Sequence, residues 1–474
     1  MTDTTTQPAD SPKRERAFYF AAWRWHFYAG LFVIPFLMML TITGFIMLID
    51  NGLSNQLGSA PRVVATGEAL PPSVQAKSAL DSVPGQLIQY TSPEAEDRPA
   101  YFVIRNPADA KPGMKPWEIP AKSVAVDPYS GEVTAVNSKT ETLYAWANDI
   151  HGTLLIGDTG DRLIEAAVSL TLVLIATGIY MWWPRERSVL SALVPNLTKK
   201  GRALFKEMHV VGGVWVSVFL VLFILSGLAW AGVWGGKLVQ PWSSYPAEKK
   251  ASFWSSDLTH ASLNHGPLDE VPWGLELTPM PESGTAEGTV ALPQPATLDT
   301  VVMWAQANGF SGQYRVSLPA GDKGVWTLMR ASQSEDTVAP HEDRTVHFDR
   351  YTGNMLADIG YADYSLMAKS MAQGIALHKG LAGTWNYVLN FVLLSVILMV
   401  NVTGIIMWWK RRPQGAKRLA APPVPQDMPM WKGAVLIALV LAMAFPMAGI
   451  ALLAVIAVDV IVLANVPRLK RIVS

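Results

Sequence analysis

The sequence contains no cysteine in 474 residues. This absence excludes a structural disulfide, a zinc–thiolate site, an iron–sulfur cluster held by thiolates, and haem attached covalently through a C-x-x-C-H motif. Any redox cofactor must therefore be held non-covalently, with histidine or methionine as the ligand to its metal. The candidate ligands come from 8 histidines and 19 methionines.

Charged residues are also scarce, at 16% of the chain, whereas 50% of the residues are hydrophobic. The hydrophobic residues occur in long runs, which is typical of an integral membrane protein. The formal net charge is zero, so nothing favours a nucleic-acid partner, and the basic residues lie at the edges of the apolar runs. The sequence has no G-x-G-x-x-G after a strand pattern and no G-x-x-x-x-G-K-[ST], so it shows no nucleotide or flavin site of its own.

Four long apolar runs predict transmembrane helices, each with basic residues at the end that is expected to face the cytoplasm. The first run follows Lys13, Arg14 and Arg16, and it is too long, with no small-residue cleavage site after it, for a secretory signal. A last apolar stretch with basic residues on both sides predicts a hairpin with both ends in the cytoplasm. The predicted order is a cytoplasmic N-terminal tail at 1–24, a span at 25–49, an outside domain at 50–148, a histidine segment and span at 149–183, a basic cytoplasmic loop at 184–207, a span at 208–234, an outside domain at 235–371, a histidine segment and span at 372–409, a basic loop at 410–431, a hairpin at 432–466 and a tail at 467–474.

The second and fourth spans belong to a repeated sequence. Residues 150–187 read IHGTLLIGDTGDRLIEAAVSLTLVLIATGIYMWWPRER, and residues 375–412 read IALHKGLAGTWNYVLNFVLLSVILMVNVTGIIMWWKRR. In both, a histidine precedes the span and TGI-x-MWW ends it. The spacing from His151 to Gly178 and the spacing from His378 to Gly404 differ by one residue. The two histidines are therefore expected at nearly the same membrane depth.

The two outside segments also resemble each other. Each has a helical pattern, three strand-like runs and an Asp-x-Tyr-Ser/Thr-Gly turn, at 127–131 in the first and 349–353 in the second. Both copies start inside, so they are expected to pair about an axis along the membrane normal. The predicted fold is a membrane α-helical bundle of four main spans plus a C-terminal apolar hairpin, with two α+β outside domains and an internal parallel two-fold repeat.

Four histidines occupy symmetric positions in this arrangement. His26 opens the first span and His209 the third, which predicts that they face each other at the cytoplasmic edge, while His151 and His378 face each other at the outer edge. Two imidazoles from facing helices suit the axial positions of a haem b iron, and two such haems would form a relay across a hydrocarbon core of about 30 Å. Glycines near these histidines are candidates for close approach to a flat macrocycle: Gly30, Gly152, Gly157, Gly212, Gly213, Gly380 and Gly383.

A zinc or copper site is the alternative reading of the histidines. It is weaker, because each pair would have no cysteine and no carboxylate at ligand spacing. Asp149 is either a group that orients His151 or an exposed helix charge. The remaining histidines are predicted to lie at the surface, with His260 and His265 as candidates for substrate contact. The other two are His341 and His347.

Together these features resemble the PepSY-associated transmembrane family, whose bacterial members include inner-membrane ferric-siderophore reductases. The resemblance rests on the H-x-x-x-G starts of two spans, the Asp-x-x-Ser/Thr-Gly turns before the histidine segments and the TGI-x-MWW ends, within residues 20–412. It implies PepSY-like domains in the periplasm and haem held by His26, His151, His209 and His378. The hairpin beyond Lys417 departs from the expected four-span pattern.

The expected function is a transmembrane di-haem electron conduit in the bacterial inner membrane, surrounded by membrane lipid. Electrons from quinol or a cytoplasmic reductase would pass from the inner to the outer haem and reduce a ferric siderophore or other iron(III) chelate, releasing iron(II). Two alternatives remain open. One is a membrane-anchored PepSY binding or regulatory protein for a periplasmic partner, with structural histidines. The other is a metal-chelate transporter, which a parallel repeat favours and the few polar groups at mid-span disfavour.

Overall fold

The computed structural model describes residues 11–56, 61–112, 114, 119–138, 142–243, 256–264, 270–333, 339–412, 422 and 432–457. Parts of the predicted N-terminal tail, the loop at 410–431, the hairpin and the C-terminal tail lie outside the described residues, as does His265. The helices are α1 (Ser11–Gln56), α2 (Pro72–Ser82), α3 (Leu143–Thr153), α4 (Asp158–Trp182), α5 (Val189–Ala192), α6 (Arg202–Leu228), α7 (Gln240–Ser243), α8 (Leu298–Ala307), α9 (Leu366–Lys379), α10 (Thr384–Arg411), α11 (Lys432–Ala444) and α12 (Pro446–Ala457).

Four of the described helices, α1, α4, α6 and α10, are long and apolar enough to cross a membrane. They coincide with the four predicted spans, which confirms that prediction. The helices α1 and α6 begin earlier than predicted because the polar residues before each apolar run also adopt helical conformation. The 27 residues of α6 extend over about 40 Å, so its ends reach beyond a hydrocarbon core of about 30 Å.

One compact unit, here called the membrane unit, comprises residues 1–44, 151–236 and 390–474. It contains most of the length of the apolar helices. Within it α4 packs on α6. The buried side chains of Ile224, Leu228 and Ala231 form a cluster that apolar residues of α4 complete. This unit carries His26, His151 and His209.

The last two helices belong to the same unit. They pack against each other, and α12 packs against α4. Pro446 starts α12, where its missing N–H removes no helical hydrogen bond. Between the two helices, Phe445 stacks on Trp234, with ring centres 6.0 Å apart and planes 9° from parallel. Several apolar side chains of the two helices are exposed: Leu436, Leu439, Val440, Met443, Ile450 and Leu453.

The second compact unit comprises residues 45–150 and 237–389 and contains a nine-stranded antiparallel sheet. The strand order is β4-β3-β2-β1-β6-β7-β8-β9-β5. The strands are β1 (Gln86–Thr91), β2 (Ala100–Arg105), β3 (Ala121–Val126), β4 (Val133–Ser138), β5 (Thr289–Val290), β6 (Arg315–Ser317), β7 (Trp326–Arg330), β8 (Arg344–Phe348) and β9 (Asn354–Gly360).

Strand β1 of the first predicted outside domain pairs with β6 of the second, so the two α+β segments share one sheet. Gln89 pairs with Ser317 and Thr91 with Arg315. At the end of the pairing, Ser92 Oγ accepts a hydrogen bond from the Tyr314 N–H at 2.8 Å. We call this pairing of β1 with β6 the joint of the sheet, and the sequence did not predict it. It covers the edge strands that the four-stranded first part and the five-stranded second part would otherwise expose.

Helices α2 and α8 cover the sheet, with Ala76, Ala79, Val301 and Ala305 in the same buried cluster as Phe102 and other strand residues. The helical pattern predicted in the second outside segment is confirmed by α8, and a Thr297–Thr300 capping box starts this helix.

The two predicted turns are also present and are closed by their aspartates. Asp127 Oδ1 accepts from the Tyr129 N–H and Asp349 Oδ1 from the Tyr351 N–H, each at 2.8 Å. The glycines that end them, Gly131 and Gly353, have φ of 75° and 68°, a conformation that favours glycine.

Candidate functional site

The structure brings His26 and His209 together, as their sequence positions predict. His26 lies on α1 and His209 on α6, and both are half-buried. Their ring centres are 6.2 Å apart and the ring planes are 85° from parallel. Two imidazoles from different apolar helices therefore face one small volume within the membrane unit.

The Nδ1 atom of His26 is held by α4. It lies 3.0 Å from Thr177 Oγ1, whose hydroxyl hydrogen is donated to the Val173 carbonyl at 2.6 Å. The Val173 carbonyl takes the only hydrogen of that hydroxyl, which leaves the hydroxyl oxygen as an acceptor from the ring. A carbonyl oxygen can only accept, so Nδ1 carries the proton, and in the neutral ring Nε2 carries the lone pair.

His209 has the same tautomer, fixed by α10. Its Nδ1 donates to the Val400 carbonyl at 2.9 Å, which again leaves the lone pair on Nε2 of the neutral ring. A histidine that binds a metal through Nε2 almost always donates its other N–H to a carbonyl, carboxylate or water. Both rings of the pair are thus oriented as metal-binding imidazoles are.

Two glycines allow these rings to approach their neighbouring helices. A Cβ on Gly178 would lie 3.3 Å from Cε1 of His26, and a Cβ on Gly404 would lie 3.2 Å from Cε1 of His209. Each glycine follows a threonine, in the TGI-x-MWW sequence that ends the second and fourth spans. The motif was predicted only to mark the ends of the spans. The repeated Thr-Gly dipeptide was the signal that could have indicated this contact.

His151 lies in the last turn of α3 and contacts α1 in the same manner. Its Nδ1 is 2.8 Å from Thr43 Oγ1, whose hydroxyl donates to the Met39 carbonyl at 2.9 Å. The hydroxyl oxygen therefore accepts from Nδ1, so in the neutral ring Nε2 is again the nitrogen without a proton. Asp149, the predicted alternative for orienting this ring, is exposed.

His378 lies in the last turn of α9, in the sheet-containing unit, and is half-buried. The end of this helix is tied to the start of α10, because Asn386 Nδ2 donates to the Leu377 carbonyl and Asn386 Oδ1 accepts from the Ala382 N–H, each at 3.1 Å. The pairing of His378 with His151 stays a prediction from the sequence repeat.

The glycines predicted to approach a cofactor differ in their surroundings. Gly380 has φ of 83° and ends α9 in the left-handed conformation, which explains it without a ligand. A Cβ on Gly30 would make an ordinary 3.9 Å contact with Leu174, and one on Gly152 or Gly213 would meet no described atom within 4 Å. Glycines Gly178 and Gly404, rather than these, are the ones that contact the histidine rings.

The surface prediction is wrong for His260 and His347, which are fully buried in the sheet-containing unit. His260 Nδ1 donates to the Thr278 carbonyl at 2.7 Å, so its Nε2 accepts the hydrogen bond from Nε2 of His347 at 2.9 Å. His347 Nδ1 then accepts from the Thr327 hydroxyl at 3.0 Å. Burial lowers the pKa of His260 to about 4 and, together with the neighbouring His260, lowers the pKa of His347 well below its usual value. His341 is exposed, as predicted.

The distance between the ring centres of each histidine pair can be compared with the distance expected for two imidazoles bound to one metal ion. A metal–imidazole bond of about 2.0–2.1 Å, with the nitrogen ~1.1 Å from its ring centre, separates the centres of two rings on opposite sides of one metal ion by ~6.2–6.4 Å. The His26–His209 rings are 6.2 Å apart, whereas the directly hydrogen-bonded His260–His347 rings are 5.0 Å apart. The first pair therefore has the separation, tautomers and apolar setting of two axial ligands to one iron.

A site with more protein ligands is not seen among the described residues, where no group of three or more His, Cys, Asp or Glu side chains could hold a metal ion. A structural zinc site needs about four such ligands, whereas a haem iron needs two because the porphyrin supplies the rest. The donor set thus fits haem better than the zinc or copper alternative.

A comparison with curated proteins gave no match. The family model of the PepSY-associated TM region matches residues 23–411, which include most of α1, all of the other three apolar helices, both α+β segments and the histidines His26, His151, His209 and His378. The protein is accordingly a membrane protein, and it belongs to the PepSY-associated transmembrane family.

Proposed function

We propose that this protein is a transmembrane di-haem electron conduit that reduces a ferric siderophore, or another iron(III) chelate, on the periplasmic side. The single observation that carries the proposal is the His26–His209 pair, with ring centres 6.2 Å apart on two apolar helices. Their Nδ1 atoms are held by neighbouring helices, which leaves a lone pair on each Nε2. These lone pairs are available to bind a metal ion between the two rings.

In this proposal His26 and His209 would hold an inner haem b, and His151 and His378 would hold an outer one. A bound haem would supply one-electron chemistry through the ferric and ferrous states of its iron. The histidines would provide nitrogen ligands to the iron, and the apolar helices around them would exclude water. The outer pair is supported by the sequence repeat and by the tautomer of His151, which matches that of His26.

The proposed orientation places the N-terminus in the cytoplasm of a bacterial inner membrane and the sheet in the periplasm. Arg185 and Arg187 follow α4, Lys199 and Lys200 precede α6, and Lys410 to Arg412 end α10. These ends would all face the cytoplasm under the positive-inside rule. An external donor, quinol or a cytoplasmic reductase, supplies the electron because the sequence carries no nucleotide or flavin motif.

The chemistry at the outer side is the transfer of one electron to a chelated iron(III). No bond to the chelator is broken by a protein group, so no general base or nucleophile is required. Iron(II) binds the hard oxygen ligands of a siderophore far less tightly than iron(III) does. Reduction is therefore sufficient to release the metal.

Absorption spectra of the full-length protein, purified after haem-sufficient expression, test the proposal. We expect a reducible b-type Soret band and two haems per chain. His26→Ala and His378→Ala should each remove a different haem, and exposed His341→Ala should remove neither. A chain without haem, or equal loss of both haems in either variant, would contradict the proposal.

The substrate class is tested by stopped-flow reoxidation of the reduced protein. Ferric siderophores should reoxidise it, whereas the same siderophores loaded with gallium(III), which has similar size and charge but accepts no electron, should not. A folded protein without haem that binds a periplasmic partner would instead favour the regulatory alternative. Uptake of the chelate into proteoliposomes without a reductant would favour the transporter.

A further inference from the structure

Two threonine hydroxyls inside the spans contact the ring nitrogens of histidines. We infer that Thr177 and Thr43 are positioning residues that set the tautomer and electron donation of His26 and His151 as haem ligands. The inference rests on the proposed function, and it assigns to the Thr-Gly sequences of the spans a role in tuning the metal.

Each threonine hydroxyl has a single hydrogen, which it can donate to only one strong acceptor. Thr177 donates its only hydroxyl hydrogen to the Val173 carbonyl, and Thr43 donates its own to the Met39 carbonyl. Each oxygen is then left as an acceptor, at 3.0 Å from Nδ1 of His26 and 2.8 Å from Nδ1 of His151. The threonines therefore accept from the histidines.

A glycine follows each threonine, but the two glycines differ in their distance from the imidazole. A Cβ on Gly178 would lie 3.3 Å from Cε1 of His26, which is closer than an ordinary contact. A Cβ on Gly44 would make an ordinary 3.9 Å contact with Cε1 of His151. The approach of the ring to the helix therefore depends on glycine at Gly178 but not at Gly44.

Holding the Nδ1 proton makes Nε2 a stronger donor, because negative character shifts onto the ring. A stronger donor stabilises the ferric state of a bound iron relative to the ferrous state, which lowers the reduction potential. His209 offers an internal comparison, since its Nδ1 donates to the Val400 carbonyl, and the Thr403 hydroxyl points to the Met399 and Val400 carbonyls instead. The two ligands of the inner pair are thus held differently.

The test uses purified full-length protein with Thr177→Val and Thr43→Val, which keep the shape and remove the hydroxyl. Thr177→Ser and Thr43→Ser restore it. Matched controls are Thr171→Val and Thr41→Val, because both residues are buried and bond only to a carbonyl of their own helix among the described contacts. The readouts are haem content, the two midpoint potentials, the electron paramagnetic resonance of the ferric protein and the rate of haem transfer to apomyoglobin.

We expect Thr177→Val to raise the potential of one haem and Thr43→Val that of the other, with about tenfold faster haem loss in each. A tenfold change in the ferric-to-ferrous preference corresponds to about 59 mV for one electron. The serine variants should restore the wild-type values, and the control variants should not differ from wild type.

Two failures are distinguishable. If wild-type protein carries two haems but the Thr177→Val and Thr171→Val potentials are equal, or serine does not restore the spectrum, the threonines are not positioning residues and the proposed function stands. If wild-type protein carries no haem, the proposed function fails and this inference fails with it.

Discussion

At the scale of single residues, the histidines of this protein show how tautomers follow from hydrogen-bond acceptors. His26, His151 and His209 each donate through Nδ1 to a neighbouring helix, and each ring lies beside a glycine. His260 and His347 instead form a direct hydrogen bond that satisfies both rings. The first arrangement keeps a nitrogen lone pair for a metal, and the second uses it within the protein.

The glycine contacts predict a graded effect on haem retention. In Gly178→Ala and Gly404→Ala the new Cβ would lie 3.3 and 3.2 Å from Cε1 of His26 and His209, so the ring must move. We expect each variant to weaken binding of one haem by about 10–100-fold. In Gly44→Ala the Cβ would lie at an ordinary 3.9 Å from His151, and both haems should remain.

The haem-to-protein ratio after dialysis measures this prediction. Equal loss in Gly44→Ala and Gly178→Ala would show that the distance from glycine to imidazole does not control binding.

The buried His260–His347 pair predicts a pH-dependent stability. Burial lowers the pKa of His260 to about 4 in the folded protein, against about 6.5 in the unfolded chain. As the pH falls below 6.5 the unfolded chain takes up the proton first, so stability decreases until the pH passes the folded value. Each histidine contributes a slope of up to about 1.4 kcal/mol per pH unit in that window.

Thermal unfolding between pH 4 and 7.5 checks this slope, with His260→Gln/His347→Gln as the comparison because glutamine has no titrating group. The double variant should lose part of the decrease in Tm towards low pH. An identical pH profile in both proteins would mean that the pair does not contribute.

At the scale of elements, the last two helices are attached to the rest of the membrane unit by aromatic stacking and by helix–helix packing. Phe445 stacks on Trp234, and α12 packs against α4. The sequence predicted an apolar hairpin with both ends in the cytoplasm, whose two arms of about 14 residues are short for independent spans. Packing against α4 explains how short arms are stabilised.

Phe445→Ala should therefore lower the stability of the membrane unit by about 1–2 kcal/mol, less than for a fully buried phenylalanine because this ring is half-buried. Met443→Ala is the matched control, since its side chain is 73% exposed on the same stretch. The Tm in detergent measures both. If the two substitutions have the same effect, the stack on Trp234 is not what attaches these helices.

At the scale of the whole molecule, the sheet joins two stretches of chain that are far apart in sequence. The β1–β6 pairing and the Ser92–Tyr314 hydrogen bonds link them. Two α+β domains that share one sheet are expected to unfold as one cooperative unit, because neither half can lose the joint without exposing its edge strand.

Ser92→Ala tests this cooperativity. The variant leaves the buried Tyr314 N–H without its hydroxyl acceptor, at an expected loss of about 1–3 kcal/mol. Hydrogen exchange should then accelerate together in β2 and in β7, on opposite sides of the joint. Acceleration in β2 alone would indicate two independently stable halves.

The sequence pattern was sufficient to predict structure where a segment's conformation depends mainly on its own residues. The sequence by itself determined the four apolar helices, the helix at 298–307, the two aspartate-closed turns and the pairing of His26 with His209. Apolar length, capping residues and turn chemistry act over a few residues, so they can be read from a single sequence.

Only the tertiary structure decided which groups meet across the fold. It placed Thr177 and Gly178 against His26, joined β1 to β6, and buried His260 against His347. These contacts link residues separated by 87 to more than 200 positions, and hydrogen bonds and steric fit between such residues depend on three-dimensional packing. The positions of the histidines along the chain could therefore be read from the sequence. The tautomers that leave a lone pair on Nε2 for a metal could be assigned only from the structure.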